Sequence, residues 1–579
     1  MKDGGAAKGF WRSFGVWALS CLILWFLSAY IGGVIVPGDS KPFFAFLETV
    51  RYNPSLLWLN LLILMGTGLL ISFRRWYISL PVFLFHFLTL SFIFIYLQIN
   101  GVAPNAFDLF VVLDGLGDLS GMVKEVLFFF GKQLALGGIG AFVVCFGLQE
   151  VLGKRLAHYR GNLLCAVFLP LHFLSIWHLF FHASPLVCLY SPIYVRVPAF
   201  YAMYEKIERM LYTGKRDAPL LKPGDYSGAP KHIVMIMDES VCGRVLSING
   251  FNQPTTPFLE NRDELINYGS ASSSTNASSS SNIILLSGLQ MRDLPDVGQL
   301  GLRRALLTDY ARLAGRKAYY MDCQNARLQN YLRFRDMSSF VYLHYAVNKG
   351  IIEEWKRDSQ GLSDYAALIA ESPEPTFTFF LKTGCHFDYE DKYNPDADYD
   401  EIATAGNIPE TYLRSVRWAV DEFFRELQER LNGEDVLIVY TSDHGQSFVG
   451  GILPHTVIDN PPAEQADVPL FIWPLSKNAR EWVNAKGGFV SENRDQATHF
   501  QVFPSLLILM GYDADEVHNL FGASLFGLPP KERFFLSGFV FGELKSGLTN
   551  INRFIHQREP INLNDGQDVK GLEIQKAAG

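Results

Sequence analysis

Asp435-Val-Leu-Ile-Val-Tyr-Thr441, running directly into Ser442-Asp443-His444-Gly445-Gln446-Ser447, reads as a buried strand with chemistry at its end. The run is continuously apolar and β-branched rather than alternating, the pattern of a strand covered on both faces. Adjacent Asp and His offer one hard oxygen and one imidazole, a mixed donor set that suits Zn²⁺. Gly445 permits a tight backbone beside them.

Further runs of this kind lie at residues 232–237, 317–322, 376–383 and 468–473, separated by helical stretches. Together they predict an α/β domain with a largely parallel central sheet. In such sheets ligands bind outside the carboxyl ends of the strands, and the unusual polar residues collect there. The first strand ends in Asp238-Glu239-Ser240. A carboxylate in that place is often a loop residue or a helix cap, but it can also be a third metal ligand.

Between these strands comes Ser270-Ala-Ser-Ser-Ser-Thr275-Asn-Ala-Ser278-Ser-Ser-Ser-Asn282, which passes into the apolar Ile283-Ile-Leu-Leu286. Composition alone reads a Ser-rich run as a flexible linker. Inside a domain and at the start of an apolar helical segment, however, a hydroxyl meets the positive helix end, which favours an alkoxide and a bound phosphate. A serine is a poor nucleophile until something lowers its effective pKa, and a metal held by Glu239, Asp443 and His444 would do so. His386, His455 and His499 are candidates for a second metal, for phosphate binding or for protonating a leaving group; taken singly, each histidine is more often structural.

Upstream the composition changes. Nearly all the long apolar runs precede Ser184, and five of them, residues 14–36, 55–73, 77–99, 133–152 and 162–181, approach the ~20 residues a membrane helix needs. Lys2, Lys8 and Arg12 ahead of the first also fit a signal peptide, but no small-residue cleavage site follows. Those cations, then Arg74 and Arg75, then Lys154, Arg155 and Arg160, recur at every second connection. Positive charge marks the cytoplasmic side, so five crossings place everything after Ser184 in the periplasm of a bacterial inner membrane. Residues 100–126 and 199–211 read either as amphipathic segments along the membrane surface or as ordinary connecting helices. Residues 215–230, rich in Lys, Pro and Gly, mark a linker.

The 579 residues carry a formal net charge of -8, which gives no electrostatic reason to expect nucleic acid as a partner. Of the seven cysteines, Cys21, Cys145 and Cys165 lie in apolar runs; Cys188, Cys242, Cys323 and Cys385 allow at most two bridges, and there is no zinc-type CxxC pair.

The order of these elements resembles the alkaline phosphatase and sulfatase superfamily. Within it the likeness is to the membrane-anchored phosphoethanolamine transferases that modify lipid A or lipopolysaccharide core, with lipoteichoic-acid synthases more distant. Met235-Ile-Met-Asp-Glu239-Ser240, then Leu246-Ser-Ile-Asn-Gly250-Phe and Thr255-Thr-Pro-Phe258, is similar to the family's first metal segment. Ser442-Asp443-His444-Gly445-Gln446-Ser447 is similar to Ser-Asp-His-Gly-Glu-Ser, and Thr383-Gly-Cys-His386 to the Gly-Ser-His segment. The resemblance implies that Glu239, Asp443 and His444 ligate zinc, with one or two ions, and that His386 and His455 bind the phospho-headgroup or a second zinc.

Sulfatases read Cys-x-Pro-Ser-Arg at the nucleophile. Laying Ser278-Ser-Ser-Ser281-Asn282 on that pattern makes Ser278 the nucleophile and a fourth metal ligand, with Thr275 the runner-up; Ala277 beside it and the lack of a cysteine there argue against a formylglycine sulfatase. The paired cysteines that bracket the nucleophile in the lipid A enzymes are replaced by Ser274 and Ile284, and residues 100–126 lack a match to their lipid-binding pattern. The expectation is therefore a five-helix transmembrane domain (1–184), a periplasmic linker with an interfacial helix (185–230) and a sulfatase-like catalytic domain (231–579). It would move phosphoethanolamine from phosphatidylethanolamine to a glycolipid or glycan through a phospho-serine. Phosphoglycerol transfer and phosphodiester or sulfate-ester hydrolysis keep the same site; a non-catalytic membrane scaffold is the alternative of a different class.

Overall fold

The computed structural model describes residues 211–324, 340–344, 353–386, 389–448, 454–455, 461–538, 540–541 and 549–555, with scattered helical residues between 62 and 177. The chain divides into two compact units near Leu211, and all nine described strands belong to the second. The expected membrane spans lie largely outside the described residues, as do the segments 100–126 and 199–210. Among the described residues no helix is long and apolar enough to cross a membrane.

Seven strands form one sheet: β1 (His232–Asp238), β2 (Ile266–Ser272), β3 (Lys317–Asp322), β4 (Val341–His344), β5 (Thr376–Leu381), β6 (Val436–Ser442) and β7 (Asp467–Pro474), in the order β2-β7-β6-β1-β5-β3-β4. β4, β3, β5, β1 and β6 run parallel, whereas β7 turns back antiparallel to β6 and β2 antiparallel to β7. At the centre, Met235 of β1 stands between Phe379 and Val439. Every residue of β1, β5, β6 and β7 is buried, which is why these strands read as unbroken apolar runs.

The helices that bear on the site are α1 (Ser278–Ser287), α2 (Leu307–Leu313), α3 (Arg357–Glu371), α4 (Glu410–Val416), α5 (Phe423–Arg430) and α6 (Val502–Leu509). Leu362 and Tyr365 of α3, Leu413 of α4 and Phe424 of α5 pack with Val234, Ile236, Ile438 and Tyr440 in one apolar core. None of the apolar residues of α2 joins that core; α2 lies against β3, β5 and α6, and α6 against α1, so the sheet is covered on both faces. A π-helical turn, Arg417–Glu422, links α4 to α5. A separate antiparallel pair, β8 (Phe534–Gly538) and β9 (Thr549–Arg553), sits beside the loop that leads into α1. Cys242, Cys323 and Cys385 are buried free thiols.

Candidate metal centre

Four parallel strands deliver side chains at their carboxyl ends: Glu239 after β1, Gln324 after β3, the loop Thr383-Gly-Cys-His386 after β5, and Asp443-His444 after β6. Ser278 opens α1, whose preceding residue Ala277 makes no side-chain cap, so the first-turn N–H groups are left without a side-chain acceptor from that position. The Ser278 hydroxyl lies 3.3 Å from Glu239 Oε1 and 3.3 Å from His444 Nε2. His444 Nε2 is 3.4 Å from Glu239 Oε1 and 3.5 Å from Asp443 Oδ2. One ligand atom each from Glu239, Asp443 and His444 can be drawn within 4.8 Å of the others, and all three residues are buried.

These separations fit a metal ion. Bonds of about 2.0–2.2 Å from zinc to oxygen and nitrogen put the edges of a tetrahedron at roughly 3.3–3.6 Å, the spacing found from Ser278 to Glu239 and His444 and from His444 to Glu239 and Asp443. The protonation pattern fits as well. His444 Nδ1 lies 2.9 Å from the Gly445 carbonyl, to which only an N–H can donate, so the neutral imidazole would carry its lone pair on Nε2, on the side of the centre. Asp443 Oδ1 accepts from the N–H groups of Ser240 (2.9 Å) and His444 (2.6 Å), while Oδ2 is buried with no hydrogen-bond partner. An orphaned carboxylate oxygen costs free energy unless something cationic meets it.

Burial, and then the neighbouring Glu239 charge, push Asp443 up to about 8. Burial acts the same way on Glu239, but the hydrogen bond and charge of His444 outweigh it and hold that carboxyl well below its usual range. His444, against the pull of burial, is pushed up to about 9 by Asp443 and Glu239. Two carboxylates that must share one imidazole call for a cation between them.

Two residues hold Glu239 in place that the sequence alone had not assigned a role. Ser240 has a left-handed backbone (φ 62°), and its hydroxyl donates to Glu239 Oε1 at 2.8 Å. Such a conformation in a non-glycine residue costs on the order of 1–3 kcal/mol and persists where the surroundings impose it. The Gln324 amide donates to Glu239 Oε2 at 3.2 Å and to the Lys382 carbonyl at 2.7 Å, which leaves Oε1 as the oxygen facing Ser278. The signal for Gln324 was its place just after the strand end Asp322. Gln324→Ala is expected to weaken zinc binding about 10- to 100-fold, the usual effect of losing a residue that orients a ligand. Competition against a chromophoric chelator measures it.

Glycine is obligatory after His444, since a Cβ at Gly445 would lie 2.2 Å from the Asp467 carbonyl oxygen. Gly384 has φ +63°, and a Cβ there would lie 2.5 Å from the Glu239 carbonyl oxygen. Asp238, by contrast, turns away from the centre: its carboxylate pairs with the buried Lys382 at 2.6 Å and accepts from the Tyr440 hydroxyl at 2.9 Å.

The remaining sequence candidates separate. The His455 ring is 4.3 Å from that of His444 and 5.2 Å from that of His386, so both histidines flank the centre. Burial and then the charges of His444 and His386 hold His455 well below its ordinary pKa. His499 is placed elsewhere. It accepts from the Ser274 N–H at Nδ1 (3.2 Å), lies 3.0 Å from the Thr441 hydroxyl at Nε2, and is pushed down to about 3 by burial. Thr275 is also set apart: it bridges to Leu536, and its buried hydroxyl has no hydrogen-bond partner.

Residues 231–512, which contain the whole of this centre, match the sulfatase family model. This part of the chain is a sulfatase-like α/β domain with a mostly parallel central sheet. None of the curated proteins matches the chain. Among solved structures, the integral membrane protein lipooligosaccharide phosphoethanolamine transferase A of Neisseria meningitidis is similar, with 17% identity and a TM-score of 0.59, over 88% of this chain and 99% of that one. The C-terminal periplasmic domain of EcEptC from Escherichia coli, solved in complex with zinc, is 18% identical with a TM-score of 0.46, over 57% of this chain and 98% of that one. The first likeness is one of fold, and it extends well beyond the sulfatase-like domain.

Proposed function

We propose that this protein is a bacterial inner-membrane phosphoethanolamine transferase with its sulfatase-like domain in the periplasm. Residues 1–184 form the membrane domain, 185–230 the linker with an interfacial helix, and 231–579 the catalytic domain. The observation that carries the reading is the placing of the Ser278 hydroxyl 3.3 Å from both Glu239 Oε1 and His444 Nε2, with Asp443 Oδ2 3.5 Å from that same nitrogen, because a retired scaffold has no reason to keep a nucleophile at metal-ligand spacing from two of three clustered ligands. The fold likeness to an integral membrane transferase and the five apolar runs before Ser184 support the membrane setting.

Glu239, Ser278, Asp443 and His444 would hold a zinc ion, with His386 and His455 beside a second ion or the headgroup. Zinc bound there would lower the effective pKa of the serine hydroxyl and offset phosphoryl charge. Ser278 Oγ, its proton given up to water, attacks the phosphorus of phosphatidylethanolamine, the bond to the diacylglycerol oxygen breaks, and that oxygen takes a proton from His386. The headgroup remains as a phosphoethanolamine ester of Ser278, until a hydroxyl or phosphate on a glycolipid or glycan attacks the phosphorus and restores the serine. Both donor and acceptor belong to the membrane, which gives the anchor its purpose.

Intact-mass spectrometry of the zinc-loaded protein, incubated with phosphatidylethanolamine or with phosphatidylglycerol, tests this. The expected result is a phosphoethanolamine adduct from the first lipid alone, mapped by fragmentation to Ser278. An adduct from phosphatidylglycerol would change the donor, one on Thr275 would change the nucleophile, and headgroup released to water without acceptor would make the enzyme a hydrolase.

A further inference from the structure

Beside the β5 loop two cavities border a pair of tryptophans. Trp355, just before α3, and Trp418, in the π-helical turn, meet edge to face with ring centroids 5.4 Å apart, and the Trp418 indole N–H donates to the Trp355 carbonyl at 3.0 Å. Both are half-buried. The two cavities, of about 190 Å³ and about 570 Å³, adjoin the pair, and Trp355, Trp418, Ser359 and Glu426 line both. The smaller cavity reaches Thr383 and Gly384, next to the segment that carries His386. π-helical turns occur often at functional sites, and here the turn presents one of the two rings.

Most of the charges in this groove are matched, the exposed Glu429 at its rim being the exception. Glu354 pairs with Lys392 and with Arg357, Glu422 with Arg425 at 3.1 Å, and Glu426 with Arg430 at 2.7 Å while accepting from the Ser359 hydroxyl at 2.8 Å. A phosphate group would need unmatched positive charge, which the groove does not hold, since Lys392 and Arg425 are both paired, and an ammonium would find only the exposed carboxylate of Glu429 at the rim. A sugar ring needs something else: flat aromatic surface for its C–H face, and fixed donors and acceptors around the rim for its hydroxyls. Paired carboxylates keep free lone pairs for that purpose, and a tryptophan supplies a large rigid apolar surface with little entropy to lose.

We propose that the two cavities form one groove for an uncharged sugar unit of the acceptor, which would bring its reacting group to the His386 side of the metal centre; this rests on the transfer reading above. Saturation-transfer NMR on the full-length zinc-loaded protein, in a detergent without a sugar headgroup, tests it with maltotriose and ethanolamine as separate probes. Maltotriose should give saturation signals, Trp355→Ala should weaken its binding about ten-fold, Trp355→Phe should restore much of it, and ethanolamine should not compete. Near-ultraviolet circular dichroism identifies a misfolded Trp355→Ala, in which case the Trp355→Phe affinity and ethanolamine competition on wild type decide. Absent maltotriose signals on the wild type, binding unaffected by Trp355→Ala, or displacement by ethanolamine would each overturn the groove. The Ser278 adduct is measured on the same samples. An adduct without maltotriose binding removes the groove and keeps the transferase, while maltotriose binding lost in Trp355→Ala without any adduct keeps the groove and removes the transferase.

Discussion

Ser278→Ala should lower headgroup transfer by at least about a thousand-fold and abolish the covalent adduct while leaving zinc bound. The size follows from the chemistry: removing the nucleophile of a covalent mechanism removes the path itself, and losses on the order of 10³ to 10⁶ are usual when only binding and electrostatic stabilisation remain. Zinc should stay because Glu239, Asp443 and His444 still supply three ligands, the number on which catalytic zinc sites are commonly built. Their geometry does not depend on the serine, since Asp443 is held by the Ser240 and His444 amides and His444 by the Gly445 carbonyl. Ser278→Thr keeps a hydroxyl at the first position of α1 and should retain measurable turnover. Diacylglycerol release from phosphatidylethanolamine and zinc content by plasma mass spectrometry measure the two halves of the prediction. Unchanged diacylglycerol release in Ser278→Ala would defeat the nucleophile assignment.

The parts of the fold that could be read from the sequence were those whose burial is uniform. β1, β3, β5, β6 and β7 are apolar runs bounded by polar residues, and each expected strand matches its observed counterpart to within about two residues. β2 and β4 could not be read that way. β2, Ile-Asn-Tyr-Gly-Ser-Ala-Ser, lies at one edge of the sheet and is rich in residues of low strand propensity, with a register shift between Asn267 and Ser270. β4 is four residues long at the other edge. Nor does the pattern of a buried strand reveal direction, so the antiparallel course of β7 was invisible.

In the site, Glu239, Asp443 and His444 were legible because a carboxylate or imidazole directly after an apolar strand is unusual. Gln324 and Ser240 were not, because each acts through a hydrogen bond to another side chain and neither residue type announces that role. His499 fits its type yet is used structurally, its ring nitrogens engaged with Ser274 and Thr441, contacts that only the packing of the helices after β7 could reveal.

Lys382→Met should destabilise the sulfatase-like domain by about 3–5 kcal/mol, the range for removing one partner of a buried ion pair. β1 alternates its side chains, so Asp238 points with Val234 and Ile236 into the core shared by α3, α4 and α5, whereas Glu239 comes after the strand and turns to the metal centre. Asp238 and Lys382 are both fully buried, and the Lys382 ammonium also donates to the Ala419 carbonyl in the π-helical turn and stands 4.2 Å over the Phe423 ring. Without the ammonium, the Asp238 carboxylate keeps only the Tyr440 hydroxyl and the Glu239 N–H as donors.

Burial already raises the Asp238 pKa against the pull of Lys382, and losing Lys382 raises it further. A carboxyl whose folded pKa lies above its unfolded one binds more protons when folded, so the variant's deficit should be smallest in acid and grow as pH rises through the folded pKa. Thermal unfolding of the full-length protein across pH, followed by intrinsic fluorescence, should show a drop of several degrees at neutral pH that narrows toward pH ~4, near the unfolded carboxyl pKa. Asp238→Asn combined with Lys382→Met should recover most of the loss, because the uncompensated charge goes with its partner. A double variant no more stable than Lys382→Met alone would mean that the lysine acts through the π-helical turn rather than through Asp238.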